Sequence, residues 1–246
     1  MSHTVELTTP NKKGETPLHK AAENGKLVTC QKLIGKNELL VLVQDKEGNT
    51  PLMGLVKNSG SASVEAFLEL IPDQVRGVLR INDFFGGYPL HYAAHRGLKS
   101  ALLKMKPCSP LYDLNGRSIA HYLVEAGHDD MLKEAKTSQD ELEKVDNHGI
   151  SPLVAAFQKE FYKTAESLAF VYRVSIPENF LYFVLPLRNK LAFETALKIL
   201  KKKMKPAELK VLLNTKFTIP KCQKTPLEYA EELKFESALQ ELKKLL

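Results

Sequence analysis

The stretch "GETPLHKAAENGKLVTCQKLI" (Gly14 to Ile34) returns, lightly altered, as "GGYPLHYAAHRGLKSALL" (Gly86 to Leu103), with its histidine, paired alanines and glycine in the same order. Within the second copy, His91 and His95 are spaced i, i+4, the spacing that brings two imidazoles on one helix to a single metal. The recurrence itself points to a structural unit instead. Which reading holds decides whether the chain is built for chemistry or for contact.

Working outward, further copies begin at Lys12 ("KKGETPLHKAAENGKL"), Lys46 ("KEGNTPLMGLVKNSGS"), Phe85 ("FGGYPLHYAAHRGLKS"), Leu114 ("LNGRSIAHYLVEAGHDD"), Asn147 ("NHGISPLVAAFQKEFY") and Gln223 ("QKTPLEYAEELKFESAL"). Measured from Thr16 through Thr50, Tyr88, Ser118 and Ser151 to Thr225, the intervals are 34, 38, 30, 33 and 74 residues. The last interval has room for one further, disguised unit.

Elementary chemistry explains the pattern. Thr16 and Thr50 are suited to cap a helix, and Pro17, Pro51, Pro89, Pro152 and Pro226 fall at the first helical position, where a missing N–H costs nothing. Leu18, Ala21 and Ala22 share one helical face, and the alanines permit close approach of a neighbouring helix. Gly25 then ends the helix in a left-handed conformation. A second helix follows, with the apolar stripe Leu27, Cys30, Leu33 and Ile34 in the first copy and Val64, Phe67, Leu68 and Ile71 in the second. Neither helix buries its apolar surface alone, so the units must stack.

The unit resembles the ankyrin repeat, about 33 residues long with the signature T-P-L-H-x-A, which "TPLHKAAENG" (Thr16 to Gly25) matches almost letter for letter. The copies drift: Met53, Leu55 and Val56 replace the histidine and alanines in the second, Ile119 and Ala120 replace Pro-Leu in the fourth, and Val154 replaces the histidine in the fifth. The resemblance implies an all-α ankyrin-repeat solenoid of helix-turn-helix units with a degenerate C-terminal part and a helical cap. Its repeats are expected near residues 12–44, 45–81, 82–112, 113–145 and 146–174, a degenerate unit at 175–217 and a capping repeat at 218–246, all in one array. In the degenerate part, "PENFLYFVL", "NKLAFETALKILKKKM" and "PAELKVLLN" read as short helices, a disguised repeat plus one inserted helix.

Composition adds bounds. The chain is 43% hydrophobic and 26% charged, the balance of an ordinary folded protein. Apolar runs such as Asn179 to Leu187 are too short to span a bilayer, and the N-terminal stretch has no signal-peptide core. Cys30, Cys108 and Cys222 are far apart with no CxxC among them, so a reducing, cytoplasmic setting is expected and a zinc ribbon is not. The net charge of +6 is uneven: eleven basic residues against Glu194 and Glu208 lie between Leu187 and Lys224. The cluster Lys198, Lys201, Lys202, Lys203 and Lys205 defines a basic patch suited to nucleic acid or an anionic phospholipid surface, although arginine and interleaved aromatics are scarce there. A solvated helix face is the simpler reading.

Catalysis finds little footing. The pair His91/His95 lacks the glutamate of HExxH, and His91 aligns with His19 and His121 as the repeat's own histidine, which the resemblance implies holds neighbouring loops together. Cys108 beside His91, His95, His121 or His128 defines the rival reading, a cysteine hydrolase on an ankyrin-like scaffold. GxxxxGK[ST], GxGxxG before a helix and GxSxG are all absent from the sequence. No catalytic residue, cofactor or metal is assigned.

The resemblance implies two partner-facing surfaces: the tips before each T-P-L-H block, and the exposed side of the first helices. Mapped onto this sequence, they give the line Phe84, Phe85, Tyr88, Tyr92, Arg96, Arg117 and Tyr122 across the middle repeats, aromatic and arginine residues of the kind that dominate interface energy. A non-enzymatic scaffold that binds a partner protein, itself a monomer, is the expected function. With 29 lysines, six arginines, no tryptophan and the tail "EELKFESALQELKKLL", the chain is also similar to ankyrin effectors that intracellular bacteria deliver into the host cytosol.

Overall fold

The computed structural model describes residues 9–105, 109–217 and 223–246; Cys108, Lys221 and Cys222 lie outside them. The described residues are helical, with no strand among them. They divide into two compact units, Met1–Gly149 and Ile150–Leu246.

In the first unit, the first helices of four repeats lie side by side: α1 (Pro17–Glu23), α3 (Pro51–Asn58), α5 (Pro89–His95) and α7 (Ile119–Glu125). The second helices α2 (Leu27–Lys36), α4 (Ser61–Leu70) and α6 (Lys99–Met105) form the row behind them. Proline stands at the first helical position of α1, α3 and α5, as its fixed φ and missing N–H favour. Between the rows, Leu18, Ala22, Leu52, Leu55, Val64, Phe67, Leu90, Ala94, Leu102 and Leu123 are buried, so the seam between repeats is the core. Two 3-10 segments, Glu38–Leu42 and Asp73–Arg80, follow α2 and α4 and pack on each other, the longer one accounting for the 38-residue interval between Thr50 and Tyr88.

The fourth repeat departs from its neighbours. Its second helix is broken into α8 (Met131–Glu134) and α9 (Gln139–Glu143). Lys136, with φ 48°, turns the chain between them, and Ser138 caps α9 through the Glu141 N–H.

The second unit begins with a regular pair, α10 (Pro152–Gln158) and α11 (Tyr162–Phe170). The stretch without the motif then forms α12 (Phe180–Val184), α13 (Lys190–Lys203) and α14 (Pro206–Asn214), before the last pair, α15 (Pro226–Glu232) and α16 (Glu236–Leu245). Helix α12 packs against α10 and α15, and α13 against α11 and α16, as the two helices of a repeat would, with α14 packed on α13 and α15. Aromatic contacts replace the lost motif: Phe157 meets Phe180 edge-on at 5.2 Å, and Tyr182 stacks on Tyr229 at 5.5 Å. The last helix buries Ala238, Leu239 and Leu242 and turns Gln240, Lys243 and Lys244 outward.

Candidate protein-binding surface

Each of the first five tips is built from an asparagine or aspartate three residues before a glycine. A side-chain oxygen of Asn11, Asp45, Asp83, Asp113 and Asp146 accepts from the N–H two residues on, at 2.8, 2.9, 3.1, 2.9 and 2.8 Å. In the first four it also accepts from the N–H four residues on. The glycine that follows, such as Gly48 with φ 83°, must be glycine twice over: the backbone is left-handed, and a Cβ there would lie 2.6 Å from the Phe84 nitrogen. Adjacent tips are tied by main-chain bonds, Lys46 N–H to the Lys13 carbonyl (3.0 Å), Phe84 N–H to that of Glu47 (3.0 Å) and Asn147 N–H to that of Asn115 (2.8 Å). This Asx turn was in the sequence as N/D-x-x-G, and the glycines alone did not reveal it.

The repeat histidines tie the next layer. In His19 and His91, Nδ1 accepts from the backbone N–H of Thr16 (3.1 Å) and Tyr88 (3.5 Å). The ring proton therefore sits on Nε2, which donates to the Asn49 carbonyl of the following repeat at 3.0 Å in His19, and to the Leu111 carbonyl, just before the fourth tip, at 3.3 Å in His91. Both nitrogens of His91 are thus engaged, while His95, on the same helix, is exposed. Burial pushes the His19 imidazole below its ordinary range and the His91 imidazole down to about 4, so both are neutral near pH 7. Among the described residues no cluster of His, Cys, Asp and Glu has the arrangement of a metal site.

Four of the seven expected partner-facing residues line one groove of the third and fourth repeats. Phe84 and Phe85 are 63% and 71% exposed, neither folding inward. Phe85, Tyr92, Arg117 and Tyr122, with His95, Asn115 and Glu125, line a groove of about 300 Å³. The walls are held from behind by two matching clusters. The Tyr92 hydroxyl donates to Asp83, and the Lys57 ammonium lies 4.0 Å from the Tyr92 ring centre. One repeat on, the Tyr122 hydroxyl donates to Asp113 at 2.8 Å and the Arg117 guanidinium lies 4.5 Å from the Tyr122 ring. Burial, reinforced by these carboxylates, pushes both phenols far above their ordinary range. Burial also works to raise the Asp113 carboxyl, but the Arg117 N–H, the Tyr122 hydroxyl and the Arg117 guanidinium together hold it below its usual value.

Three of the seven, Tyr122, Tyr88 and Arg96, are held by contacts within the fold. Tyr122 is only 9% exposed and stacks on His91 at 4.7 Å, so it forms the groove's wall and not a free surface. Tyr88 is half-buried with its ring edge on His91. Arg96 binds the carbonyls of Val56 (2.7 Å) and Ser59 (2.5 Å) at the C-terminal end of α3, where a cation complements the helix dipole.

The lysine cluster is similarly drawn into its own unit. Lys198 pairs with Glu166 at 2.6 Å, Lys203 donates to the Val174 carbonyl at 2.6 Å, and Lys202 sits 5.1 Å from the Phe170 ring centre. Lys201 and Lys205 are exposed. Cys30 is fully buried and its thiol is pushed up to about 11, which leaves it protonated and unreactive. Cys108 of the hydrolase reading lies outside the described residues. No described helix is long and apolar enough to cross a membrane.

A search of curated proteins finds no match to the chain. The family model described as ankyrin repeats (3 copies) matches residues 2–77, the segment that holds the first two tips, His19 and the helices α1 to α4. Repeat signature, paired helices, Asx-turn tips and bridging histidines agree with that match: the chain contains ankyrin repeats.

Proposed function

We propose that this chain is a non-enzymatic scaffold that holds a protein partner through the tips and first-helix face of its third and fourth repeats. Ankyrin repeats are generally protein–protein interaction modules and typically carry no catalysis. The observation that carries the particular reading is the third tip, where two adjacent phenylalanines stand mostly in solvent beside a groove walled by tyrosines. Exposed apolar surface next to a rigid, prepaid wall is what an interface hot spot requires. The lysine-heavy, tryptophan-free composition extends the reading to an effector acting on a host protein in the cytosol.

Affinity capture from eukaryotic cell lysate tests it, with Phe84→Ala/Phe85→Ala and Lys201→Ala/Lys205→Ala variants beside the parent chain at low and moderate salt. The reading expects a discrete protein retained at moderate salt by the parent and the lysine variant and lost from the phenylalanine variant. Salt-labile nucleic acid or lipid, lost only with the lysines, would move the function to the basic segment.

A further inference from the structure

All seven histidines of the chain, from His3 to His148, precede residue 150, so the second unit has no imidazole. Histidine is the side chain whose ordinary titration falls between pH 5 and 8, and the two units therefore differ in what mild acid can change. His19, His91 and His121 recur as the third residue of α1, α5 and α7, where α10 carries Val154 and α15 carries Glu228.

The three imidazoles are built into the first unit as acceptors. All three are buried, and Nδ1 of each accepts from the backbone N–H of the residue before its helix, Thr16, Tyr88 and Ser118, at 3.1, 3.5 and 3.1 Å. A ring protonated on both nitrogens would turn a donor toward that N–H and carry a charge that burial disfavours. The carboxylates near the rings are already committed. Beside His19, Glu15 takes Asn11 and Lys20, and Asp45 takes the N–H groups of its turn. Beside His91, Asp83 takes the Tyr92 hydroxyl, the N–H groups of Phe85 and Gly87, and Lys57. Asp113 takes Tyr122 and Arg117, and the Arg117 guanidinium opposes a second positive charge on His91. Helix α9, whose Glu141 carbonyl takes the Ser118 hydroxyl, packs against the helix of His121, and the Glu141 carboxylate takes the Ser138 hydroxyl and N–H. The second unit caps its helices with groups that keep their state in mild acid. Ser151 accepts from the Val154 N–H at 3.3 Å, Asn189 from the Ala192 N–H at 3.1 Å, and Glu228 from the Thr225 N–H at 2.7 Å. That Thr225 N–H holds the Glu228 carboxyl below its usual value, so it stays ionised at pH 5.

We infer that mild acid opens the first unit and spares the second, the buried imidazoles of His19, His91 and His121 serving as a proton-sensitive latch whose place Val154 and Glu228 take in the second unit. The depressed imidazoles of His19 and His91 contribute stability that is complete above pH 6.5 and is lost as pH falls toward the folded values, about 4 for His91. His91 alone then multiplies the opened fraction about thirtyfold between pH 7.5 and pH 5. The third and fourth tips belong to this unit, so partner binding there weakens as it opens. Only that last consequence rests on the scaffold reading.

Native-state hydrogen–deuterium exchange of the full chain at pH 7.5 and pH 5.0, each normalised to the intrinsic exchange rate at its pH, reads the opened fraction of each unit without a partner. The expected result is a rise of about tenfold or more in peptides from residues 17–125 and of less than about threefold in those from residues 152–245. The rise should shrink in His91→Met, which copies Met53 of the second repeat, and persist in His95→Gln/His148→Gln, whose parent side chains are exposed. Equal responses in the two units, or a first-unit rise that disappears with the exposed pair instead, would overturn the inference, and the comparison between units decides it in the parent chain even where His91→Met does not fold. A captured protein that stays bound while the first unit opens would remove the proposed binding surface and leave the latch standing.

Discussion

His91 shows how much a single residue can carry in a repeat array. It joins the N-terminus of its own helix to the Leu111 carbonyl just before the fourth tip, and the bond that Nδ1 accepts requires the neutral ring. The unfolded imidazole titrates near 6.5 and the folded one near 4, so below pH 6.5 the unfolded chain takes up a proton that the folded chain refuses. Folding stability is therefore fully present above pH 6.5 and declines as pH falls to about 4, by up to about 3 kcal/mol from His91 alone. Urea unfolding at pH 7.5 and pH 4.5 checks this, and His91→Met, the residue class that Met53 supplies in the second repeat, should flatten the dependence. Phe85 is the opposite case: Phe85→Ala should change stability by less than about 0.5 kcal/mol, because the side chain stands in solvent. The histidine's role was legible from its recurrence at His19, His91 and His121. The use of Arg96 was not, because its two carbonyl acceptors lie about forty residues upstream on another helix and leave no local trace.

At the scale of the helix, the turn into the second helix carries a left-handed residue in the first, third, fourth, fifth and last repeats, though not in the second, where Ser59 and Gly60 have φ −115° and −79°. Gly25, Gly97 and Gly127 fill it without cost, whereas Glu160 and Lys234 hold the same place at φ 61° and 52°. A side chain in that conformation costs roughly 1–2 kcal/mol, partly offset by the greater freedom that glycine loses on folding. Glu160→Gly and Lys234→Gly should each stabilise the protein by about 1 kcal/mol, read as a higher midpoint in thermal unfolding. Gly97→Ala should do the reverse, since its Cβ would also meet the His128 ring at 2.6 Å. Proline at the first helical position and glycine after the last made these helices readable, because both report backbone geometry directly. The division of the fourth repeat into α8 and α9 was not readable, for Lys136 takes its left-handed turn with no glycine to announce it. Helices α12 and α13 were visible as helices, but their standing as a repeat pair depends on which helices they pack against, and aromatic contacts at Phe180 and Tyr182 carry no fixed spacing.

For the molecule as a whole, the surface that differs most from a merely soluble array is the apolar third tip. Phe84, Phe85 and Leu114 stand exposed there, while Lys198, Lys203 and Lys202 of the second unit are engaged with Glu166, Val174 and Phe170. Binding that depends on the apolar tip should survive a rise from low to moderate salt, whereas phosphate contacts by the lysine cluster would weaken steeply. Hydrogen–deuterium exchange of the full chain, with and without the protein retained in affinity capture, tests the central claim most directly. The account predicts new protection at residues 83–95 and 113–125, the third and fourth tips with α5 and α7. Protection confined to residues 190–214, with the middle tips unchanged, would contradict it.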